Sequence, residues 1–298
     1  MARTVTVAVD GSPESLAAAD WAAREAELRG LPLHLVHAWD WQPSTLPVPD
    51  DAAHRHWGGR VLRQAAERLQ NPHPDLDVTS EQIPQPPVTA LLTAATDAEP
   101  LVIGSRGLGT AVGFLVGSVG LALLARTERP VVLVRSGVRV EDEHQPDANG
   151  RPSGATPYRD VVLGLDHEHP DDTVIAFAFE AASRRAARLR VVHGWSLPPY
   201  VAQGLAPGQA PDENLARREA SALEGILAPW REKFPGVEVV EQTVIGNAGD
   251  HLVDTAREAS LIVVGRRIRH TPLGPRIGPV THAVLHHATA PVAVIPHD

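Results

Sequence analysis

The residues most suited to chemistry lie in Leu101–Arg135, LVIGSRGLGTAVGFLVGSVGLALLARTERPVVLVR. A short apolar run, Leu101–Ile103, empties into Gly104, Ser105, Arg106 and Gly107. Nine residues later Gly117, Ser118 and Val119 open a helix-like run, and Pro130 precedes a second apolar run, Val131–Val134. Glycine allows close backbone approach and a positive φ. The first N–H groups of a helix have no intrahelical partner, so they form a cradle for an anion such as phosphate. Ser118 is placed to cap that helix or to donate its hydroxyl to a phosphate oxygen. Arg106 either reaches the phosphate or is solvated. Across the chain, Asp10 ends an apolar run, Thr4–Val9. It is either a turn-former ahead of Pro13 or a polar contact for a ligand. No Gly-x-x-x-x-Gly-Lys-Ser/Thr run occurs, which excludes a Walker-type loop.

These residues need a scaffold, and the pattern around them is regular. Thr4–Val9, Leu33–Ala38, Leu76–Ile83, Leu101–Ile103 and Val131–Val134 read as strands. Helical stretches lie between them at Ser15–Arg29, roughly Asp50–Leu69, Val88–Thr96 and Val119–Arg126. Ser12 is the expected N-cap of the first helix, Pro13 its first residue, and Gly30 its end. Strands alternating with helices indicate a parallel sheet covered on both faces.

The pattern then restarts. Asp10 and Asp166 are 156 positions apart, as are His37–Ala38–Trp39 and His193–Gly194–Trp195. Gly104 and Gly265 are 161 apart, as are Pro130 and Pro291. Two constant offsets indicate a tandem duplication with five residues inserted, most naturally within Ser196–Pro211. The polar stretch Gly137–Pro157 reads as the linker. The expected domains are therefore 1–137 and 158–298, joined by 138–157.

The glycine spacing and the repeat together resemble the universal stress protein family over nearly the whole chain. Gly104, Gly107, Gly117 and Ser118 match its nucleotide signature without a gap. The resemblance implies two five-stranded doubly wound α/β domains with strand order 3-2-1-4-5. Ligands in such sheets bind where the strand order reverses, here between the first and fourth strands. It implies ATP, with Mg²⁺ accompanying the nucleotide, bound by Asp10, Ala38, Gly104, Arg106, Gly107, Gly117, Ser118 and Val119. Asp10 would sit near ribose or adenine, and Ala38 would offer backbone groups to adenine. The implied role is an ATP-binding regulator of the stress response, forming a homodimer and acting on a protein partner the sequence does not name.

Catalysis is not expected, because Asp10 is the only acid near the motif and a positioned base is needed for turnover. Slow ATP hydrolysis or autophosphorylation at Ser105 is the most the sequence supports. Two other classes remain open. One is an interaction module without a nucleotide. The other is an enzyme of the wider adenine-binding group, although the His-x-Gly-His of its adenylyl-transferring members is missing. The second half departs from the signature, with Ile268 and Pro279 at the places of Gly107 and Ser118. Ile at positive φ is strained, and proline has neither N–H nor hydroxyl. Its site is expected to be degenerate, with Arg266, Arg267 and Arg269 as the available compensation.

The remaining polar residues read as structure or surface. His37 and His193 lie in apolar strands. His282 and His286 have the spacing of paired ligands but no third partner, and His167 and His169 with Asp171 and Asp172 read as a surface cluster, so no metal is expected. The 298 residues carry 27 Lys and Arg against 36 Asp and Glu, a net charge of −9, which argues against a general nucleic-acid binder. There is no cysteine, which excludes thiol chemistry. The N-terminal MARTVTVAVDGS lacks a signal-peptide core, and no run has the length of a membrane span. The expectation is a cytoplasmic protein.

Overall fold

The structure is a computed structural model that describes residues 3–39, 51–105, 117–195, 213–268 and 277–298. The chain divides into two compact units, 1–140 and 141–298. In the first, strands β1 (Thr4–Ala8), β2 (Leu33–Ala38), β3 (Val78–Ile83), β4 (Ala98–Ser105) and β5 (Val131–Arg135) lie in the order β3-β2-β1-β4-β5. All four pairings are parallel. Helices α1 (Pro13–Arg29), α2 (Asp51–Gln70), α3 (Pro87–Ala94) and α4 (Ser118–Arg126) cover the sheet.

The second unit repeats this plan with β6 (Asp160–Gly164), β7 (Leu189–Trp195), β8 (Val239–Ile245), β9 (Ala259–Arg267) and β10 (Val292–His297). Their order, β10-β9-β6-β7-β8, is again 3-2-1-4-5 when counted within the unit, and every pairing is parallel. The helices are α5 (Asp172–Arg184), α6 (Glu213–Lys233), α7 (Ala248–Thr255) and α8 (Pro279–His287). The stretch read as a linker carries a turn of 3-10 helix at Val140–Glu143. It is tied to the second unit, where Arg159 N donates to Glu143 O at 2.9 Å and the rings of His144 and Tyr158 lie 4.0 Å apart.

Burial explains why these runs form strands. Val5, Val7, Leu33, Leu35, Leu101, Val102, Val131 and Val132 have no exposed surface. A sheet covered on both faces needs continuous apolar runs rather than alternation. Helix α1 meets it with alanines at 18, 19, 22, 23 and 26, all buried, which let the helix axis approach closely. Ser12 caps α1, its Oγ accepting from Ser15 N at 3.2 Å, and Gly30 ends it in the left-handed conformation with φ 62°. No described helix is long and apolar enough to cross a membrane.

One contact fixes the start of α1 relative to the sheet. A Cβ on Gly104 would lie 2.6 Å from the backbone carbon and oxygen of Glu14 and 2.8 Å from Ser15 N. The first turn of α1 therefore rests directly on β4. Its backbone has no room to yield, so Gly104→Ala is expected to destabilise the first unit by about 1–3 kcal/mol. Gly117→Ala, at φ −60° and with open space around the position, is expected to cost less, at most about 1 kcal/mol, through the loss of a favoured N-cap residue. Urea unfolding of both variants checks this, and equal effects would contradict it.

Candidate functional site

The strand ends of the first unit part where the order reverses, between β1 and β4. A cleft of about 290 Å³ opens there, lined by Asp10, Ala38, Gly104, Gly117, Ser118 and Val119 among others. Six of the eight residues singled out from the sequence thus share one cavity. The other two, Arg106 and Gly107, lie outside the described residues.

Asp10 follows β1 and is held by a local network. Its Oδ1 accepts from Ser12 N at 2.9 Å and from Ser12 Oγ at 2.5 Å, and its own N–H donates to Ser15 Oγ at 3.2 Å. Partial burial pushes the Asp10 carboxyl up, but the hydrogen bonds from Ser12 and Ser15 outweigh it and hold the pKa below the usual 3.8. Asp10 is thus an anion at neutral pH. It suits a hydroxyl donor or a cation and repels a bare phosphate. Ser15, not singled out from the sequence, is a cleft residue because the first turn of α1 lies against β4.

The opposite end of the cleft is the start of α4. Gly117 is its N-cap, with φ −60° and ψ 160°, and no side chain caps it. Ser118 is therefore the first helical residue and not the cap, which corrects one role expected for it. The first closed bond runs from Leu121 N to Gly117 O at 3.0 Å. The N–H groups of Ser118, Val119 and Gly120 are left without an intrahelical acceptor. The glycines also differ from expectation. Neither Gly104 nor Gly117 has a positive φ, so Gly104 is required by helix packing and Gly117 by neither argument.

Between these polar ends the walls are apolar: Ile103, Leu133, Leu91, Pro87 and Ala8. Strand β2 runs two residues past its last pairing with β1, Ala8 with Val36, so the β1-side edge of Ala38 faces the cleft. His37 is buried, and its Nδ1 is 2.7 Å from Val9 O, which ties the end of β2 to the end of β1. The arrangement offers a flat apolar slot, an open backbone edge, a carboxylate, and a helix N-terminus.

The second unit has a cleft of about 550 Å³ at the equivalent place, lined by Asp166, Gly194, Gly265, Gly278, Pro279 and Val280 among others. In this unit α5 begins three positions later in the repeat than α1, with Asp171 as its cap. The turn that covers Gly104 is missing. His297 leans there instead, so that a Cβ on Gly265 would meet its Nε2 at 2.8 Å. Its Nδ1 is 3.7 Å from Asp171 Oδ2. Gly194 is required because Ala248 Cα would lie 2.6 Å from a Cβ there. Arg267 lines this cleft, Arg266 is buried, and Arg269 lies outside the described residues.

Two expectations for this unit are altered. Ile268 carries no strain, since Ala186 is the one non-glycine of positive φ among the described residues. It extends the edge of β9, donating to His297 O at 2.6 Å. His167 is half-buried and faces inward towards His193, unlike the exposed His169. The rings of His282 and His286 lie 4.2 Å apart, tilted by 35°, with no third ligand among the described residues.

A doubly wound α/β domain, made twice, has its cleft at the reversal point, where sheets of this kind bind ligands. The universal stress protein family profile matches residues 1–135 and 157–296, and the chain belongs to that family in its tandem form. A universal stress protein of Mycobacterium tuberculosis is 33% identical over 299 residues, covering 97% of this chain and 96% of that protein. One from Mycolicibacterium smegmatis is 30% identical over 305 residues, covering 98% and 96%. The crystal structure of a universal stress protein from Archaeoglobus fulgidus shares the fold, with a TM-score of 0.68 at 16% identity over 99% of this chain and 98% of that one.

The Asp10 network has a measurable pH signature. A carboxyl with a lowered folded pKa stabilises the fold above its unfolded value and loses that contribution as pH falls through the folded one. Thermal midpoints of wild type and Asp10→Asn are therefore expected to converge as the pH drops from about 5 to below the usual value near 3.9. A difference that stays constant across that window would refute the assignment.

Proposed function

We propose that the protein is an adenine-nucleotide-binding regulator of the stress response that takes ATP with Mg²⁺ in its N-terminal cleft. The observation that carries this is the pairing of an apolar slot, at the open edge of Ala38, with the uncapped start of α4 on the other side of one cavity. The slot suits a base and the free N–H groups suit phosphate. Asp10, an anion between them, suits a ribose hydroxyl. It also suits Mg²⁺, which commonly takes one or two carboxylates together with substrate phosphates. When bound, Mg²⁺ would offset the charge of the phosphates. The family membership supports the same reading, and supports a soluble, cytoplasmic homodimer acting on a protein partner.

Asp10 is the one titratable side chain lining this cleft among the described residues. General acid–base catalysis needs a positioned donor and acceptor, so the reading is a sensor or switch with at most slow hydrolysis. The C-terminal cleft is read as the weaker site. Pro279 stands at the first position of α8 and removes one N–H and one hydroxyl, and His297 occupies the space over Gly265.

Mass spectrometry of ligand released from the purified protein, together with calorimetry, tests the proposal. One nucleotide per chain is expected, and no binding at about millimolar ATP (near −4 kcal/mol) would sink it. Ser118→Pro separates the site from the fold. Proline is tolerated at the first helical position, as Pro279 illustrates in the second unit. The substitution is expected to cost about 1.5–3 kcal/mol of binding, roughly 10- to 150-fold, with the thermal midpoint kept. Two equivalent nucleotides per wild-type chain would refute the asymmetry between halves.

A further inference from the structure

We propose a divalent metal site in the second unit, formed by His167, His193 and Glu219. The three come from separate elements: His167 from the turn after β6, His193 from within β7, and Glu219 from α6. Their candidate ligand atoms lie within 4.8 Å of one another. His193 is buried, with 5% of its side chain exposed, while His167 and Glu219 each have 19% exposed. The cluster is thus half-buried, with His193 as its innermost member.

The hydrogen-bond arithmetic calls for a cation. His193 Nδ1 lies 2.9 Å from Leu165 O. A carbonyl only accepts, so Nδ1 carries the proton and Nε2 of the neutral ring presents its lone pair inward. That Nε2 is 2.7 Å from His167 Nδ1 and 3.5 Å from Glu219 Oε2. His167 Nε2 is 3.4 Å from the same Oε2. Glu219 Oε2 is itself buried and has no hydrogen-bond partner. With both rings neutral, one proton bridges the two histidines and the carboxylate oxygen still faces lone pairs. Such a buried charge is costly unless a positive charge joins it, either a second proton on His167, whose Nε2–H would then donate to Oε2, or a metal ion, and the metal titration below separates the two.

A metal ion meets that need with suitable geometry. Tetrahedral Zn²⁺, at about 2.0–2.1 Å from N and O ligands, sets its ligand atoms roughly 3.3 Å apart. The separations to Glu219 already match. One nitrogen of His167 must serve both partners; its Nε2 already faces Glu219 while its Nδ1 faces His193, so binding turns the His167 ring, which sits on a turn, within a cluster whose ligand atoms all lie within 4.8 Å of one another. The bond from His193 Nδ1 to a backbone carbonyl is the outer-shell contact that orients a ligating imidazole. Two imidazoles and a carboxylate suit zinc and neighbouring first-row divalent ions, and leave a fourth position for water.

The first unit supplies an internal comparison. His37 repeats His193, down to its bond with Val9 O. At the offsets of 156 and 161 residues, Gly11 and Gly58 stand where His167 and Glu219 stand. A Cβ on Gly58 would lie 2.6 Å from His37 Cδ2, so the helix backbone packs on the ring and leaves no place for a ligand. The strand histidine alone is therefore a tie between strands, and the other two residues are what the second unit adds. An ion there would brace Leu165 and Asp166, which line the C-terminal cleft.

The test uses the full chain, stripped with a chelator and then titrated with Zn²⁺ by calorimetry and with Co²⁺ by visible absorption. One equivalent per chain is expected, with the intense bands of four-coordinate Co²⁺ and a thermal midpoint raised by Zn²⁺. His167→Ala and Glu219→Gln are each expected to weaken binding by at least about tenfold and to remove the midpoint shift. His169→Ala and His282→Ala, which alter other histidine clusters, are expected to change neither. Absence of binding, or binding that follows His169 or His282 instead, would overturn the site. So would undiminished affinity in both His167→Ala and Glu219→Gln.

Discussion

The first turn of α1 rests on β4 at Gly104 so closely that no side chain fits between them. Much of the N-terminal site depends on this contact. It sets where the helix begins, and so where Ser12 caps it and where Ser15 meets the chain leaving β1. The Asp10 carboxylate is then held by Ser12 at the mouth of the cleft. Remove the contact, as the second unit does, and the cleft is wider and lined differently, although the sheet beneath has the same strand order.

The sheet itself was readable from residue types. Apolar runs of the right length, the caps at Ser12 and Gly30, and the constant offsets between repeats lead to two parallel α/β units, and the resemblance to the family adds the 3-2-1-4-5 order. Strand and helix limits shift by a few residues, as where β4 runs over Ala98–Ser105 and not only Leu101–Ile103. Local signals report propensity, and the ladder extends as far as the neighbouring strands pair.

The site was partly legible. Position in the repeat brings Asp10, Ala38, Gly104, Gly117, Ser118 and Val119 to one cavity, because the topology places strand ends together. What each glycine is for could not be read. A glycine needed for close packing, such as Gly104, looks the same in sequence as one needed for a positive φ. The same limit applied to Ile268, which continues a strand edge without strain, and to His167. Its inward orientation depends on His193 and Glu219, distant in the chain, so no local pattern announces it.

The starting position of a helix also has an evolutionary meaning. One turn of α-helix is about 5.4 Å long, and moving the cap from the Ser12 position to that of Asp171 displaces the start of the helix by nearly that much while the strands keep their register. A duplicated domain can thus change the size and polarity of its ligand chamber by relocating a single cap. The hydrophobic core, on which folding depends, need not be rebuilt. Divergence of function between the copies is therefore decoupled from the conservation of their architecture.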